Sequence, residues 1–538
     1  MTRRGPRALV IGAGHNGLVC AFYLARAGWR VRMLERRDLV GGAAVTEEFH
    51  PGFRNSTASY TVGLLDARVM RDLKLAELGL RIVPRALANF LPLDARRSIS
   101  VGAGVTRTQA EFSRHSSRDA ERLPDYLQQL NRIAVAVRRL AATAPPRLDG
   151  SWRDVPALIA SGWALRSLSR PDRACLRQLL TDSAEAFLDR WFESAAVKAA
   201  FGFDSVVGNY RSPREPGSAY MLLHHVFGQV NGERGVWGHA IGGMGAITQT
   251  MRTACERLGV EILTGVAVRR VHVVDNTAVA VETEDGQSHE ASRVIANVNP
   301  RLLFDRMLSD AVLPGAFRAE MRGYRLGSGT LRMNVALSEL PRFPCVPGEG
   351  PGLHHQSGII VAPSLTYMHQ AIVDARREGW SREPIIEMLI PSTVDDSLAP
   401  PGAHVASLFC QQFAPRLPGG GDWNRQRERV ADLVVDTMTR HAPNFRASII
   451  ARQVLTPLDL EQRFGLTAGD IMHGDLRLDQ LWAARPTTGY GGYRTPVRNL
   501  YLCGSGAHPG GGVSGLPGRN AARVLLRDSR LPWPMRAS

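Results

Sequence analysis

The sequence predicts an α/β fold in which a Rossmann-like dinucleotide-binding domain is split along the chain. A second domain of mixed sheet plus helices is inserted into it. Three observations predict this. The stretch "ALVIGAGHNGLVCAFYLARAG" at residues 8–28 reads as strand, glycine turn and helix. A second stretch of that kind, "CGSGAHPGGGVSGLPGRNAARVLL", occupies residues 503–526. Between them, "GGMGAITQTMRTACERLGVEILTGVAVRRV" at 242–271 gives a glycine turn, an amphipathic helix and the strand "VEILTGVAVRRV". With 538 residues the chain exceeds one ordinary core and suits roughly two to three domains.

In the first stretch, "ALVI" is a short buried strand, and Gly12, Gly14 and Gly17 form G-x-G-x-x-G. Gly12 allows the tight turn, Gly14 lets the backbone approach a pyrophosphate, and Gly17 lets the helix lie close on the strand. The helix start offers unpaired N–H groups and a positive dipole end to the phosphates. Gly28 stops the helix, and "VRMLE" is the second strand, ending at Glu35. That acid lies about 20 residues past the last glycine, where a carboxylate can take the hydroxyls of an adenosine ribose. Gly41-Gly42 follows as a second flexible point; spacing alone reads equally as an ordinary turn. This motif does not separate FAD from NAD(P).

The terminal stretch separates them. "NLYLCG" is a strand, "SGAHPGGGVSG" a loop, and "LPGRNAARVLL" a helix with Pro517 in its first turn. Five glycines among residues 503–512 exceed what a packed strand–helix turn needs. A nicotinamide enzyme has no use for this second site. A flavin has: a helix N-terminus aimed at the ring stabilises its reduced anion. The expected cofactor is therefore FAD, with its ADP half on the first loop and its flavin half on the last.

The remaining elements follow in order. Residues 105–230 read as mainly helical, through "RDAERLPDYLQQLNRIAVAVRRL", "WRDVPALIASGWALRSLS" and "RACLRQLLTDSAEAFLDRWF". Such helices serve as core-facing elements, as the cap of an apolar tunnel or as a membrane-surface contact. "TAVAVETEDGQSHEASRVIANV" reads as a hairpin ending in a buried strand. Residues 325–415 alternate like strands ("LRMNVALSEL", "GIIVAP", "PIIEMLIPS", "HVASLFCQQF"), with "LTYMHQAIVDARREG" a helix among them and another helix at 422–440. The FAD-binding domain is expected at 1–75, 230–300 and 480–538. The substrate domain with its helical cap is expected at 76–229 and 301–479.

Composition excludes several classes. The formal charge is +16, and all but Lys74 and Lys198 of the 66 basic residues are arginines. They are scattered, with no basic block interleaved with aromatics, so no nucleic-acid partner is expected. A diffuse positive field suits an anionic membrane surface or an acidic substrate. Cys20, Cys175, Cys255, Cys345, Cys410 and Cys503 lie far apart, with no C-x-x-C pair, which predicts a reducing compartment and no dithiol centre. No secretory signal and no membrane-spanning run is read, so the expected location is cytoplasmic, with peripheral membrane contact left open. No metal site is expected.

"VIGAGHNGLVCAFYLARAGWRVRMLERRDLVGGAAVTEEFHPGF", "GGMGAITQTM", "GDIMHGDLRLDQLW" and "YRTPVRNLYLCGSGAHPGGGVSGLPGRNAA" together resemble the phytoene desaturase-related FAD-dependent oxidoreductases. Within that group they look most like the branch called pyridine nucleotide-disulphide oxidoreductase domain-containing protein 2. The resemblance covers nearly the whole chain, and the H-P-G-G-G loop and H-G-D segment are its specific parts. It implies that Gly12, Gly14, Gly17, Glu35, Gly41 and Gly42 contact the ADP half and pyrophosphate, and that Val268 touches adenine through its backbone. It further implies that Gly504 and Ser505 meet the phosphates, and Gly512, Val513 and Ser514 the flavin. No cysteine pair follows the first loop, which departs from true disulfide reductases and argues against thiol chemistry.

Flavin carries the hard chemistry, and the protein positions substrate against it. His508, in the flavin loop, is the first candidate catalytic residue, and His473 in "DIMHGDL" the second; a structural hydrogen bond is the competing reading for each. His224-His225 and His354-His355 are sequence neighbours that would point apart in a strand. No nucleophile elbow, zinc helix or phosphate-transfer loop occurs. The expected function is dehydrogenation of an apolar, carotenoid- or lipid-like small molecule, with oxygen or a quinone reoxidising the flavin. The alternatives are an amine or amino-acid oxidase, a redox-neutral flavin isomerase or saturase, and a non-catalytic flavoprotein acting through partners. Oligomeric state is not read from the sequence.

Overall fold

The computed structural model describes residues 6–147, 154–348 and 350–530, leaving aside the side chains of residues 224, 225 and 530. The apolar run at the start of the chain becomes β1 (Arg7–Ile11), the middle strand of a five-stranded sheet. Its partners are β2 (Arg30–Leu34), β3 (Glu261–Leu263), β4 (Arg293–Ala296) and β5 (Leu500–Leu502), in the order β3-β2-β1-β4-β5. Every pairing is parallel. Helices His15–Arg26, Met244–Arg257 and Leu516–Arg530 share one core with these strands, through Leu18, Ile247, Met251, Ala521 and Leu525 among others. Segments from the start, middle and end of the chain thus build one Rossmann-like layer.

One expected strand is two. "VEILTGVAVRRV" stops at Leu263 because Gly265 takes φ +70° and its N–H bonds Arg37 O, while Val266 N–H bonds Glu35 O. Val268–Val274 then leaves the parallel sheet and pairs antiparallel with Thr277–Thr283, which pairs with Ser288–Glu290.

The second sheet has seven strands, in the order Ile449–Leu455, Thr330–Leu337, His404–Phe413, Trp380–Leu389, Gly358–Val361, Asn89–Pro92 and Ser98–Val101. It is antiparallel except where Gly358–Val361 runs parallel to Asn89–Pro92, which makes the sheet mixed. Strand alternation sends Ile360, Ile385 and Phe409 into a core with the helices of residues 117–223. It sends Ile359, Ile386 and Leu408 into another core with helix Trp423–His441. The fold is therefore α/β, with helices on both faces of the second sheet.

The cap begins with the long helix Ser117–Ala141, whose N-terminus is capped by Ser116 Oγ accepting from Asp119 N–H. Buried Asp119 in turn accepts from the N–H groups of Glu193 and Ser194, tying two segments of the cap together. The histidine pairs are not strand residues. Residues 224–227 are helical, with the side chains of His224 and His225 outside the described residues. His354 and His355 lie in a helical turn with ring centroids 3.8 Å apart. His355 is occupied, Nδ1 accepting from Gly352 N–H and Nε2 meeting Pro341 O.

Candidate functional site

The first loop is as tight as its glycines imply. Gly12 has φ +88° and donates its N–H to Leu34 O of β2. A Cβ on Gly17 would stand 2.3 Å from Gly12 O, so the helix can lie on the loop only with glycine there. Gly14 precedes helix His15–Arg26, which has no side-chain cap and no acidic residue in its first turn. Its N–H groups and positive end are thus left for a ligand. Gly41 bridges to Gly14, Gly41 N–H bonds Ala13 O, and Gly42 lies against Gly14, so the Gly41-Gly42 pair crosses the first loop. Glu35 is buried at the end of β2, its carboxylate accepting from Ala13 N–H (2.7 Å) and Arg37 N–H (3.0 Å). Val268 lies two residues beyond Val266, whose N–H holds Glu35 O.

The last loop meets the first. Asn16 Nδ2 donates to Ser505 Oγ at 3.1 Å across 489 residues of sequence. A Cβ on Gly518 would be 2.0 Å from Asn16 O, so the first and last helices cross in backbone contact. Gly504 lies over Asn297, whose Nδ2 donates to Gly12 O. Gly512 has φ +98°, Val513 packs on the first core, and Ser514 Oγ accepts from Leu516 N–H at the start of the last helix. Ten of the thirteen expected site residues (Gly12, Gly14, Gly17, Glu35, Gly41, Gly42, Gly504, Ser505, Gly512 and Ser514) join through these contacts. His508 is reached through helix Ser117–Ala141.

Two buried groups that sequence reasoning missed hold the last loop. Arg485 is fully buried and donates to Met472 O (2.7 Å) and Ser505 O (3.0 Å), with longer contacts to Gly474, Asp475 and Gln480 carbonyls. Asp470 receives the N–H groups of Met472, Gly474 and Gly327. Together they fix the H-G-D turn, with His473 at φ +57°, beneath the glycine loop: Met472 lies within 2.7 Å of a Cβ on Gly511.

Three histidines surround this junction. His508 Nε2 meets Leu140 O at 3.1 Å, and its own carbonyl accepts from Tyr493 Oη–H at 2.7 Å. Among the described residues His508 Nδ1, His473 Nδ1, His15 Nε2 and Asn16 Oδ1 are buried without a protein partner. Burial lowers His508 to about 4, with nearby Arg485 adding to the effect, and lowers His473 to about 3. Burial also lowers His15 to about 4, partly offset by a hydrogen bond to the Gly512 backbone. All three are neutral at pH 7, and no strand or helix spacing announced His15.

This has a consequence for stability. The unfolded chain protonates these histidines below about pH 6.5, whereas the folded chain resists until about 3–4. Their contribution is thus present above pH 6.5 and is lost as pH falls toward 4. The three together remove about 4 kcal/mol between pH 7.5 and 5.5, about 1.4 kcal/mol each over that interval, most of it below pH 6.5. The thermal midpoint should drop over that interval. His473→Asn, which tolerates the left-handed backbone, should remove about a third of the drop. An unchanged pH dependence in that variant would contradict neutral burial.

A cavity of about 580 Å³ opens beside the loop. His508, Pro509, Gly511, Ser514 and Leu516 of the terminal stretch line it, together with Leu64, Val137, Leu176, Met221 and Phe227. Of the charged residues on its lining, Arg68 pairs with Asp66, and Arg138 donates to the carbonyls of Val226 and Phe227. Among the described residues no cluster of three histidine, cysteine or acidic side chains suits a metal. None of their helices is long and apolar enough to cross a membrane.

These features fit FAD: a glycine cradle that Cβ atoms would fill, an uncapped helix start, and buried polar atoms awaiting partners beside an apolar cavity. The comparisons agree. Residues 17–330 match the family of flavin containing amine oxidoreductases. The chain is 40% identical over 548 residues to pyridine nucleotide-disulfide oxidoreductase domain-containing protein 2 of Rattus norvegicus, covering 97% of this chain and 93% of the relative. It is 24% identical to the lycopene-forming phytoene desaturase of Pantoea ananas, covering 96% and 99%. Putrescine oxidase, solved with putrescine bound, shares the fold with a TM-score of 0.62 at 16% identity, over 98% of this chain and 99% of that one. The chain belongs to the flavin containing amine oxidoreductase family and is an FAD-dependent oxidoreductase.

Proposed function

We propose that the protein dehydrogenates an apolar, hydrocarbon- or lipid-like small molecule. The observation that carries this reading is the cavity beside the last glycine loop, apolar on most of its lining and with its one acid, Asp66, already paired with Arg68. The ammonium group of an amine would find no unpaired acid on this lining, since Asp66 is taken by Arg68, and burying it there is costly. The desaturation of an apolar hydrocarbon by a relative supports the same substrate class.

In this reading Gly12, Gly14, Gly17, Gly41 and Gly42 hold the pyrophosphate side of FAD, and Glu35 the adenosine ribose. Val268 lies by the adenine, Gly504 and Ser505 by the phosphates, and Gly512, Val513 and Ser514 along the ring. Bound FAD supplies a two-electron acceptor for hydride from a substrate C–H. The apolar walls orient the chain of the substrate and keep water out. The adjacent carbon loses a proton, and His508, a cavity-lining residue whose buried Nδ1 has no protein partner, is its acceptor. Oxygen or a quinone then takes the electrons.

His508→Ala should leave flavin bound and slow its reduction by about 10²-fold, the usual scale for a positioned base. Unchanged reduction would remove His508 from the reaction. The reading itself is tested by anaerobic bleaching of the flavin with a panel of terpenoid and carotenoid hydrocarbons against diamines and amino acids. Bleaching by the hydrocarbons is expected. Bleaching by amines alone, with peroxide released on admitting air, would replace it with an amine oxidase.

A further inference from the structure

Large apolar side chains are exposed at twelve positions among the described residues, and five of them belong to one helix, Val155–Arg166. Trp163 is 70% exposed, Ile159 55%, Val155 48%, Leu158 46% and Leu165 37%. On a helix, Val155, Leu158, Ile159 and Trp163 fall on one side. Only Ser161 and Ala164 of this helix are buried. A globular helix normally turns such a face inward.

Exposed charge along the helix and just after it is of one sign: the flanking Asp154 and Asp172 are buried, and Asp172 pairs with Arg132. Residues 155–171 contain no acid, only Arg166 and Arg170. Arg173 and Arg177 are also exposed, and Arg173 reaches back to the carbonyls of Leu168 and Arg166 at the helix end. The inner side of the same helix is a wall of the cavity, through Ser161 and Leu165 beside Val137 and Ala141. The exposed apolar face and the cavity are therefore two sides of one element.

We propose that the Val155–Arg166 helix docks on an anionic lipid surface, with Trp163 and Ile159 at the acyl boundary and the arginines against lipid phosphates. An apolar face that carries a tryptophan and is flanked by cations at its C-terminal end is the chemistry that such a surface selects. A second copy fits less well: residues 155–171 offer no acid to meet Arg166 and Arg170, and the flanking Asp154 and Asp172 are buried. Substrate would pass from the bilayer by Leu165 into the cavity; that step rests on the function proposed above, whereas the docking does not.

The test is flotation of the holoprotein with vesicles of phosphatidylcholine alone and of phosphatidylcholine with phosphatidylglycerol, at low and high salt. Binding to the anionic vesicles, weakened by salt, is expected. Ile159→Asp/Trp163→Asp should reduce the bound fraction at least about tenfold, since it puts charge on the inserted face. Both positions are exposed, so flavin content and melting should not change; Arg166→Ala/Arg170→Ala should lower binding to anionic vesicles only. The proposal is overturned if the parent protein ignores both vesicles or if the double aspartate variant binds as the parent does. It is also overturned if sedimentation shows a parent dimer that the same variant dissociates. Vesicle binding without bleaching by any hydrocarbon would leave the docking standing and remove the substrate reading.

Discussion

Gly17→Ala is expected to yield protein that has lost its flavin and much of its stability. The new Cβ would stand 2.3 Å from Gly12 O and 2.8 Å from Asn297 Nδ2. The first is a backbone atom in a loop held on both sides, by Gly12 N–H on Leu34 O and by Asn297 on Gly12 O. Relief requires the helix to lift from β1, which costs about 1–3 kcal/mol or more and moves the helix start away from the phosphates. Gly14→Leu separates the two effects. The one tight contact of a Cβ there is Asn297 Nδ2 at 3.0 Å, in a normal backbone conformation, so the fold should survive while the phosphate approach is filled. The ratio of flavin to protein absorbance should fall at least about tenfold in both variants, with the larger drop in melting for Gly17→Ala. A Gly14→Leu protein that keeps full flavin would refute the first-loop assignment.

Arg485→Met should be equally damaging, from the other end of the site. The guanidinium is fully buried and bonds carbonyls on both the H-G-D turn and the terminal loop. Removing it leaves at least Met472 O and Ser505 O unpaired, at about 1–3 kcal/mol each. The expected loss is about 3–5 kcal/mol, with flavin retained weakly if at all. Lysine keeps the charge but not the planar fork, so Arg485→Lys should recover only part of the loss. Thermal midpoint and flavin content check both variants, and unchanged values in the methionine variant would contradict the role.

What the sequence made legible was local. The spacing of Gly12, Gly14, Gly17 and Glu35 fixes a strand–turn–helix–strand unit, because each residue meets conditions set by its near neighbours. The terminal loop was legible for the same reason. That the two loops touch, through Asn16 on Ser505 and Gly518 on Asn16, depends on both end strands lying in one sheet, each paired with β4 between them, and leaves no periodic trace. Arg485 is one of many arginines, and nothing in its neighbourhood marks it as buried. The break after Leu263 turns on Gly265, whose positive φ is a tertiary outcome of the bonds at Glu35 and Arg37. Apolar spacing indicated a helix at 155–166 but not that its apolar face looks outward, since exposure depends on what else packs there.

The central claim is that one FAD is held by two loops, its ADP half by the first and its flavin half by the last. It is tested most directly by titrating flavin-stripped protein with FAD and with ADP, in the parent chain and in Gly512→Val. Gly512 has φ +98°, and a side chain there would strain the loop and press on Leu64. The predicted result is that ADP binds parent and variant alike, while FAD binds the variant no more tightly than ADP does. FAD binding that is undiminished in Gly512→Val, or a parent protein that takes up NAD(P) and ignores FAD, would contradict it.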